Sequence, residues 1–176
     1  SGNALGDYQL YNIGARLHGT AGLVYYEEEF QWQGGRKGGD KAAFYNATRL
    51  GVVLPQKIKV GLGFDMMSGS DDPLSSEGTY VANYYFAHAY FGWMDNFVIN
   101  PKTGVMDFRL DIELPLHEKI TVKSQNHYFM QASPVSGMDD PYGMEFDLEL
   151  HGKFFAKSKI VAGGAADLGA SILNTG

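Results

Sequence analysis

Ionisable residues recur at every second position in two segments of this 176-residue chain. In 106–114 each odd position is charged and each even position is apolar, and 144–151 repeats this order with ionisable odd positions. Asp111 and Glu113, like other such pairs, carry the groups that acid and base catalysis of glycoside cleavage requires. The pairs are so regularly spaced that none is singled out, and no nucleophile, base and orienting group converge. We therefore expect no catalytic site, and the chain is not predicted to be an enzyme.

A metal site has little support in the sequence. His127 and His151 are two or more predicted strands from an obvious third ligand, and a catalytic zinc site uses three protein ligands. The segment 68–73 offers oxygen ligands for calcium but lacks the full spacing of an EF-hand loop. The chain has no cysteine, which removes thiolate ligands and disulfides. The prediction is therefore no metal and no cofactor.

The alternation of apolar and ionisable residues is the period-2 pattern of a strand that lies between two media. The segment 58–66 repeats it with glycine at two inward positions, and 24–33 follows it with one fault at Glu28. With weaker patterns included, eight strands are predicted at about 7–18, 24–33, 40–54, 57–67, 105–115, 118–131, 142–154 and 157–170. Membrane-crossing strands need about 9 to 11 residues, whereas strands of soluble proteins usually have about 5 to 6. The predicted fold class is all-β, an antiparallel transmembrane β-barrel.

The predicted connections alternate between short and long. Tight connections are predicted at 18–21, 54–57, 116–118 and 156–158. Long ones are predicted at 34–40, 68–103 and 132–141. This asymmetry is typical of outer-membrane barrels. The aromatic stretch 79–98 must contribute either no crossing or two, so both eight and ten strands remain open. Residues in it that would suit an interfacial aromatic girdle are Tyr80, Tyr84, Tyr85, Tyr90 and Trp93.

The face opposite the apolar side chains gathers the candidate functional residues. They are Glu27, Glu29, Lys59, Asp65, Asp107, Arg109, Asp111, Glu113, Lys123, Glu145, Asp147, Glu149, His151 and Lys153. A basic side chain at the midplane of a membrane barrel costs roughly 2 to 4 kcal/mol when it faces lipid, so this face is expected to line water or other polar groups. Two roles stay open for each residue: part of a selective filter or sugar path, or a partner in a solvated set of paired charges.

Composition excludes several classes of protein. The net charge is −6 and no run of Lys or Arg occurs, so no nucleic-acid partner is expected. The longest apolar stretch, 80–94, is shorter than the roughly 20 residues of a membrane helix and is interrupted by polar residues. The first residues lack the basic and apolar regions of a secretory signal, which suggests a mature, processed or truncated chain.

Five stretches occur in an order that resembles the alginate export family of outer-membrane β-barrel proteins, in particular its C-terminal half. They are YEEEFQWQGG from Tyr26, GLGFDMMSGSDD from Gly61, AYFGWMDNF from Ala89, NHYFM from Asn126 and YGMEFDLEL from Tyr142. The resemblance implies a larger barrel of which this chain forms part, in the bacterial outer membrane. The candidate lumen residues include more carboxylates than cations, which argues against a polyanion such as alginate as the cargo.

The leading hypothesis is a cofactor-free, porin-like outer-membrane channel, formed by a single barrel domain or barrel segment over 1–176, with a long aromatic-rich outer loop at about 68–103. Its expected partners are membrane lipid and a polar solute or polysaccharide that it passes or exports. Arg109, Lys59 and Lys123 would tune its selectivity together with the carboxylates. The alternative is a soluble, lipocalin-like barrel whose apolar faces point inward around a small apolar ligand. A plugged barrel that acts only as an anchor is a third possibility.

Overall fold

The protein folds as an all-β structure, described by a computed structural model over residues 8–37, 40–72, 74–82, 91–135, 141–155 and 158–167. Its strands are β1 (Tyr8–Ala21), β2 (Val24–Lys37), β3 (Asp40–Val53), β4 (Lys59–Met67), β5 (Val105–His117), β6 (Ile120–Met130), β7 (Pro141–Phe155) and β8 (Ser158–Asp167). All eight predicted strands are confirmed. Within these ranges, no helix has the length and apolar character needed to span a membrane.

The strands form one antiparallel sheet in which each strand pairs with the next one along the chain. This order is a meander, the simplest arrangement that short connections between successive strands allow. The all-β, antiparallel prediction is thereby confirmed. In the part of the chain that the structure describes, β1 and β8 are the two edges of the sheet, and it is not closed into a barrel.

The pairing of β4 with β5 decides between eight and ten strands. The two strands are hydrogen-bonded neighbours from Lys59 opposite Glu113 to Met67 opposite Val105. No strand therefore lies between them in the sheet. The described parts of the segment that joins them, 68–72, 74–82 and 91–104, also contain no strand. The described residues of the aromatic stretch 79–98 therefore add no crossing to this sheet.

Three predicted connections are wrong in their placement. The long connection at 34–40 does not exist, because β2 continues to Lys37 and β3 starts at Asp40. Gly35 stays within β2 at φ +123°, and a Cβ there would overlap the backbone of Gln9. This glycine permits the close approach of β1 and does not end the strand.

The first tight turn lies at 22–23 and not at 18–21. Pairing of β1 with β2 extends to Ala21 opposite Val24, and Gly22 has φ +62°. Positive φ values are what tight hairpin turns require, and glycine adopts them without steric cost. The connection at 116–118 also shifts, since β5 runs to His117 and β6 begins at Ile120. The turn at 54–57 is confirmed, while 156–157 lie outside the described residues.

The sheet has two faces of opposite character. The charged face consists of the even positions of β1 and the odd positions of the other strands, because directly paired residues of neighbouring strands point to the same side. The other, apolar face leaves large side chains exposed, among them Leu62 at 67% and Leu148 at 57%. A hydrophobic core forms where described parts of the 68–103 segment pack on one part of the charged face. Its buried members include Tyr45, Tyr80 and Phe129.

Candidate functional site

Strand register places the predicted lumen residues in rows across the charged face. Lys59 lies opposite Glu113, Glu113 opposite Lys123, and Lys123 opposite Glu149, so charge alternates in sign along four neighbouring strands. The Lys59 ammonium is 3.3 Å from the Glu113 carboxylate, and the Lys123 ammonium is 3.8 Å from it. Opposite charges on directly paired strand residues stabilise the pairing modestly. This row is a ladder of mutually compensated charges.

A second row begins with Asp111 and continues through Gln125 to Asp147. Arg109 donates to Asp111 Oδ2 at 2.9 Å, and the Gln125 amide donates to Asp111 Oδ1 at 3.1 Å. Both oxygens of Asp111 are therefore engaged. The Asp147 side chain at the other end of the row is only 1% exposed.

The third row contains a histidine that was not predicted to line this face. His127 lies between Arg109 of β5 and Glu145 of β7. Its Nδ1 is 2.7 Å from Asp107 Oδ2, and its Nε2 is 3.5 Å from Asp147 Oδ2. The sequence carried the necessary signal, because His127 shares the odd numbering of Lys123 within the same strand. Among the described residues, no group of three or more His, Asp and Glu side chains is arranged to hold a metal ion.

Two arginines on the charged face were also missed. Arg49 of β3 forms a buried salt bridge with Asp65 of β4, in which the two terminal guanidinium nitrogens, Nη1 and Nη2, donate to the carboxylate. Arg16 of β1 pairs with Glu27, which is partly exposed. The strands that carry the arginines were predicted, but the face of each arginine was not assigned. Bidentate Arg–carboxylate pairs are among the strongest side-chain contacts.

Every member of the predicted lumen set whose side chain is described lies on the charged face. These residues are Glu27, Glu29, Lys59, Asp65, Asp107, Arg109, Asp111, Glu113, Lys123, Glu145, Asp147, Glu149 and His151. The side chain of Lys153 lies outside the described residues. The single fault in the β2 pattern, Glu28, lies on the apolar face. There Asn46 and Thr48 donate hydrogen bonds to it, and the three form a small polar patch.

The described parts of the 68–103 segment lie across part of the charged face. At one end, the Gln33 side chain exchanges two hydrogen bonds of 2.8 Å with the backbone of Val81. Beside it, the Tyr80 hydroxyl donates to Gln31 Oε1 at 2.9 Å. Burial, with a smaller contribution from the negative charge of Glu29, raises the pKa of Tyr80 to about 12. Tyr80 stays an un-ionised hydrogen-bond donor up to strongly alkaline pH.

The same segment is also anchored to β7, on the same charged face but nearer the other edge of the sheet. The backbone amides of Trp93 and Met94 both donate to Glu145 Oε1. Trp93 lies against Gly163 of β8, where a Cβ would come within 2.6 Å of the indole ring. The prediction of an interfacial girdle is therefore wrong for Tyr80 and Trp93, which contact the charged face. Tyr84, Tyr85 and Tyr90 lie outside the described residues.

A cavity of about 430 Å³ lies on the charged face, nearer the short turns. Its lining includes Thr20, Tyr25, Lys59, Asp111, Glu113, Lys123, Gln125, Asp147 and Glu149. The Tyr25 ring reaches it from β2 because Gly51 and Gly61 have no side chains, and a Cβ at either position would overlap the phenol. The Tyr25 ring therefore explains why position 61, one of the two glycine positions in 58–66, has no side chain. We call this space the Asp147 cavity.

Comparison with known proteins identified no relative of this chain. No protein-family model, curated protein or solved structure matches this chain. The resemblance to the alginate export family therefore stays a prediction from the five sequence stretches.

Proposed function

We propose that this chain forms part of the wall of an outer-membrane β-barrel channel whose charged face lines a path for a polar solute. The observation that carries this proposal is the inverted polarity of the sheet. Asp107 and Asp147 are at most 1% exposed, while Leu62 and Leu148 are more than half exposed. A water-soluble protein buries its large apolar side chains, whereas a barrel in lipid directs them outward.

The same observation disfavours the soluble binding barrel. A lipocalin-like barrel needs apolar side chains on its buried face to hold an apolar ligand. Here the buried face carries the Arg49–Asp65 salt bridge and the Asp107–His127 pair. Buried charges of this kind require partners or water. The charged face is suited to a hydrated path and unsuited to an apolar ligand.

A membrane location requires the backbone groups at the edges of the sheet to be hydrogen-bonded. Inside the hydrocarbon layer every backbone N–H and C=O group must be paired, which only helices and closed barrels achieve. The proposal therefore requires β1 and β8 to be paired in the membrane, either with each other or with further strands. The strand lengths of 9 to 15 residues suit this role.

The 68–103 segment would narrow such a path. It makes hydrogen bonds to side chains of β2 and β7 on the charged face, so it occupies space that a solute would otherwise use. A narrowed channel and a fully plugged anchor differ in one measurable property, because only the channel conducts ions. The resemblance to alginate export proteins supports the outer-membrane location, while the abundance of carboxylates on the lining favours a neutral or cationic solute.

The membrane proposal is tested with a charge on the apolar face. Leu62→Arg should destabilise the folded protein in lipid by roughly 2 to 4 kcal/mol, the cost of a basic residue that faces the bilayer core. The control is Leu74→Arg, since Leu74 is 94% exposed and lies outside the strands. Urea unfolding in lipid vesicles measures both variants. Equal tolerance of the two arginines, or a wild-type protein that is monodisperse without detergent, would contradict the membrane proposal.

Channel function is tested separately in planar bilayers. The folded protein should produce stepwise increases in ion conductance after insertion. A protein that inserts, as shown by protection of its strands from protease, but gives no conductance would be an anchor and not a channel.

A further inference from the structure

The Asp147 cavity combines an aromatic ring with polar side chains whose charges compensate one another. We infer that it binds one ring of a neutral sugar, which packs against the Tyr25 phenol and hydrogen-bonds to Lys59, Lys123 and Thr20. Such a site would set the class of solute that the proposed channel passes, so it rests on the proposed function. The volume of about 430 Å³ is within the range of small-molecule sites.

The Tyr25 ring has a defined position on the wall of this cavity. Strand pairing places Tyr25, Gly51 and Gly61 in one row across β2, β3 and β4. The phenol extends along this row, because a Cβ on Gly51 would lie 2.2 Å from its Cζ and one on Gly61 would lie 2.2 Å from its hydroxyl oxygen. Both glycines are buried although neither has a side chain. The phenol therefore covers the backbone on one side and lines the cavity on the other.

An aromatic ring in this position offers apolar surface inside a cavity that is otherwise largely polar. Small-molecule sites commonly combine such a surface with a few polar groups that fix the orientation of the ligand. A pyranose ring has the matching distribution, because its C–H groups form an apolar face and its hydroxyl groups project from the rim. The Tyr25 phenol suits the apolar face of the sugar, and the polar side chains around it suit the rim.

The polar groups beside the phenol are accessible to a solute. The side chains of Lys59 and Lys123 are 44% and 40% exposed. Both lysines are paired with Glu113, and an ammonium group has more N–H donors than one such pair uses. The exposed Thr20 adds a hydroxyl group, and the partly exposed Gln125 adds an amide carbonyl. The wall therefore supplies both donors and acceptors for sugar hydroxyl groups.

The charges of the wall favour a neutral solute over an ion. Glu113 lies between two lysines, Asp111 accepts a hydrogen bond from Arg109, and Glu149 is paired with His151. A cation would be repelled by the lysines, and an anion would be repelled by the carboxylates. Hydroxyl groups donate and accept hydrogen bonds without a net charge, so a neutral sugar avoids both repulsions.

The 68–103 segment leaves this cavity open within the part of the chain that the structure describes. The segment contacts the charged face at Gln33 and Glu145, and none of its described residues lines the cavity. A solute on the proposed path would therefore reach Tyr25 without displacing the described parts of the segment.

Saturation-transfer NMR on the folded wild-type protein in detergent tests the inference with methyl β-D-glucopyranoside as the probe. Saturation should reach the C–H hydrogens of the sugar ring, because these pack against Tyr25. Sorbitol, which carries similar hydroxyl groups on an open chain, should bind at least tenfold more weakly. Glucuronate, which keeps the ring and adds a carboxylate, should also bind more weakly because carboxylates outnumber lysines on the wall.

Substitutions at Tyr25 separate the ring from the rest of the side chain. Tyr25→Leu should weaken binding of the glucoside at least tenfold, whereas Tyr25→Phe keeps the ring and should stay within about twofold of the wild type. Lys59→Met should weaken binding several-fold through loss of its donors. The matched control is Tyr11→Leu, because Tyr11 lies on the apolar face, is 56% exposed and does not line the cavity.

Absent binding of the glucoside, equal binding of sorbitol, or equal losses in Tyr25→Leu and Tyr11→Leu would each overturn the sugar site. The comparison of glucoside with sorbitol uses the wild-type protein alone, so it decides the question even if Tyr25→Leu fails to fold.

Bilayer recordings separate the sugar site from the channel proposal. The glucoside should reduce the conductance of a conducting wild-type protein more than sorbitol does at the same concentration, and Tyr25→Leu should lessen this block. Conductance without block or binding would overturn the sugar site and leave the channel. Sugar binding without conductance would support the site and overturn the channel.

Discussion

Glu145 Oε1 accepts a hydrogen bond of 2.9 Å from the backbone amide of Met94, which fastens the 68–103 segment to β7. The adjacent amide of Trp93 donates to the same oxygen. Gly92, at φ +84°, precedes them at a point where a Cβ would overlap the Glu145 carboxylate. One strand residue thus fixes the position of a segment 51 residues away in sequence.

The first prediction concerns release of this segment. Glu145→Ala removes the side-chain acceptor of two amide hydrogen bonds, each worth roughly 0.5 to 3 kcal/mol depending on the charge of the carboxyl group. Hydrogen exchange at the Trp93 and Met94 amides should accelerate at least tenfold, and conductance through the proposed channel should rise. Glu27→Ala is the control, because Glu27 contacts Arg16 and not the segment. Unchanged exchange at both amides would show that Glu145 does not hold the segment.

The second prediction concerns the room made for Tyr25. Gly51→Ala places a methyl group where the Tyr25 phenol lies, and overpacking of this kind costs about 1 to 3 kcal/mol. Much of this loss should disappear when Tyr25→Ala is combined with it. Urea unfolding of the single and double variants measures the coupling. Gly164→Ala is the control, since a Cβ there meets nothing within 4 Å. Additive effects of the two substitutions would exclude the proposed contact.

The third prediction concerns the salt bridge between β3 and β4. Asp65→Asn leaves the Arg49 charge buried without its carboxylate partner and should lower the free energy of unfolding by about 3 to 5 kcal/mol. Removing both charges with Arg49→Leu and Asp65→Leu should recover part of this loss. Asp40→Asn, which breaks the exposed pair with Arg36, should cost less than about 1 kcal/mol. Similar losses for Asp65→Asn and Asp40→Asn would contradict the assignment.

The fourth prediction is a pH dependence at Tyr80. Burial raises its pKa from 10.0 to about 12, so folding favours the un-ionised phenol. The resulting stabilisation is complete below pH 10 and is lost as the pH rises through about 12. Tyr80→Phe should remove this dependence, which urea unfolding at several alkaline pH values would detect. If both proteins lose stability in parallel across this range, Tyr80 does not cause the change.

The strands and their two faces could be predicted from sequence because the period-2 pattern is local. Each side chain of 106–114 is assigned to a face by its own numbering, without knowledge of any other strand. The prediction of a loop at 34–40 was wrong because its glycines do not end the strand. Gly35 lies within β2, where the absence of a side chain allows β1 to approach closely. The exchange of hydrogen bonds between Gln33 and Val81 had no local signal, because it joins residues 48 apart.

The sequence by itself determined which residues alternate and therefore which charges share a face. Only the tertiary structure decided their partners, because a contact such as Asp107 with His127 depends on the register between separate strands. Register brings Arg49 diagonally beside Asp65, places Gln125 opposite Asp111, and leaves Asp147 Oδ2 at 3.5 Å from His127 Nε2. Long-range contacts likewise decided that the described parts of the 68–103 segment lie on the charged face, since a segment without strand periodicity does not indicate which face it will contact.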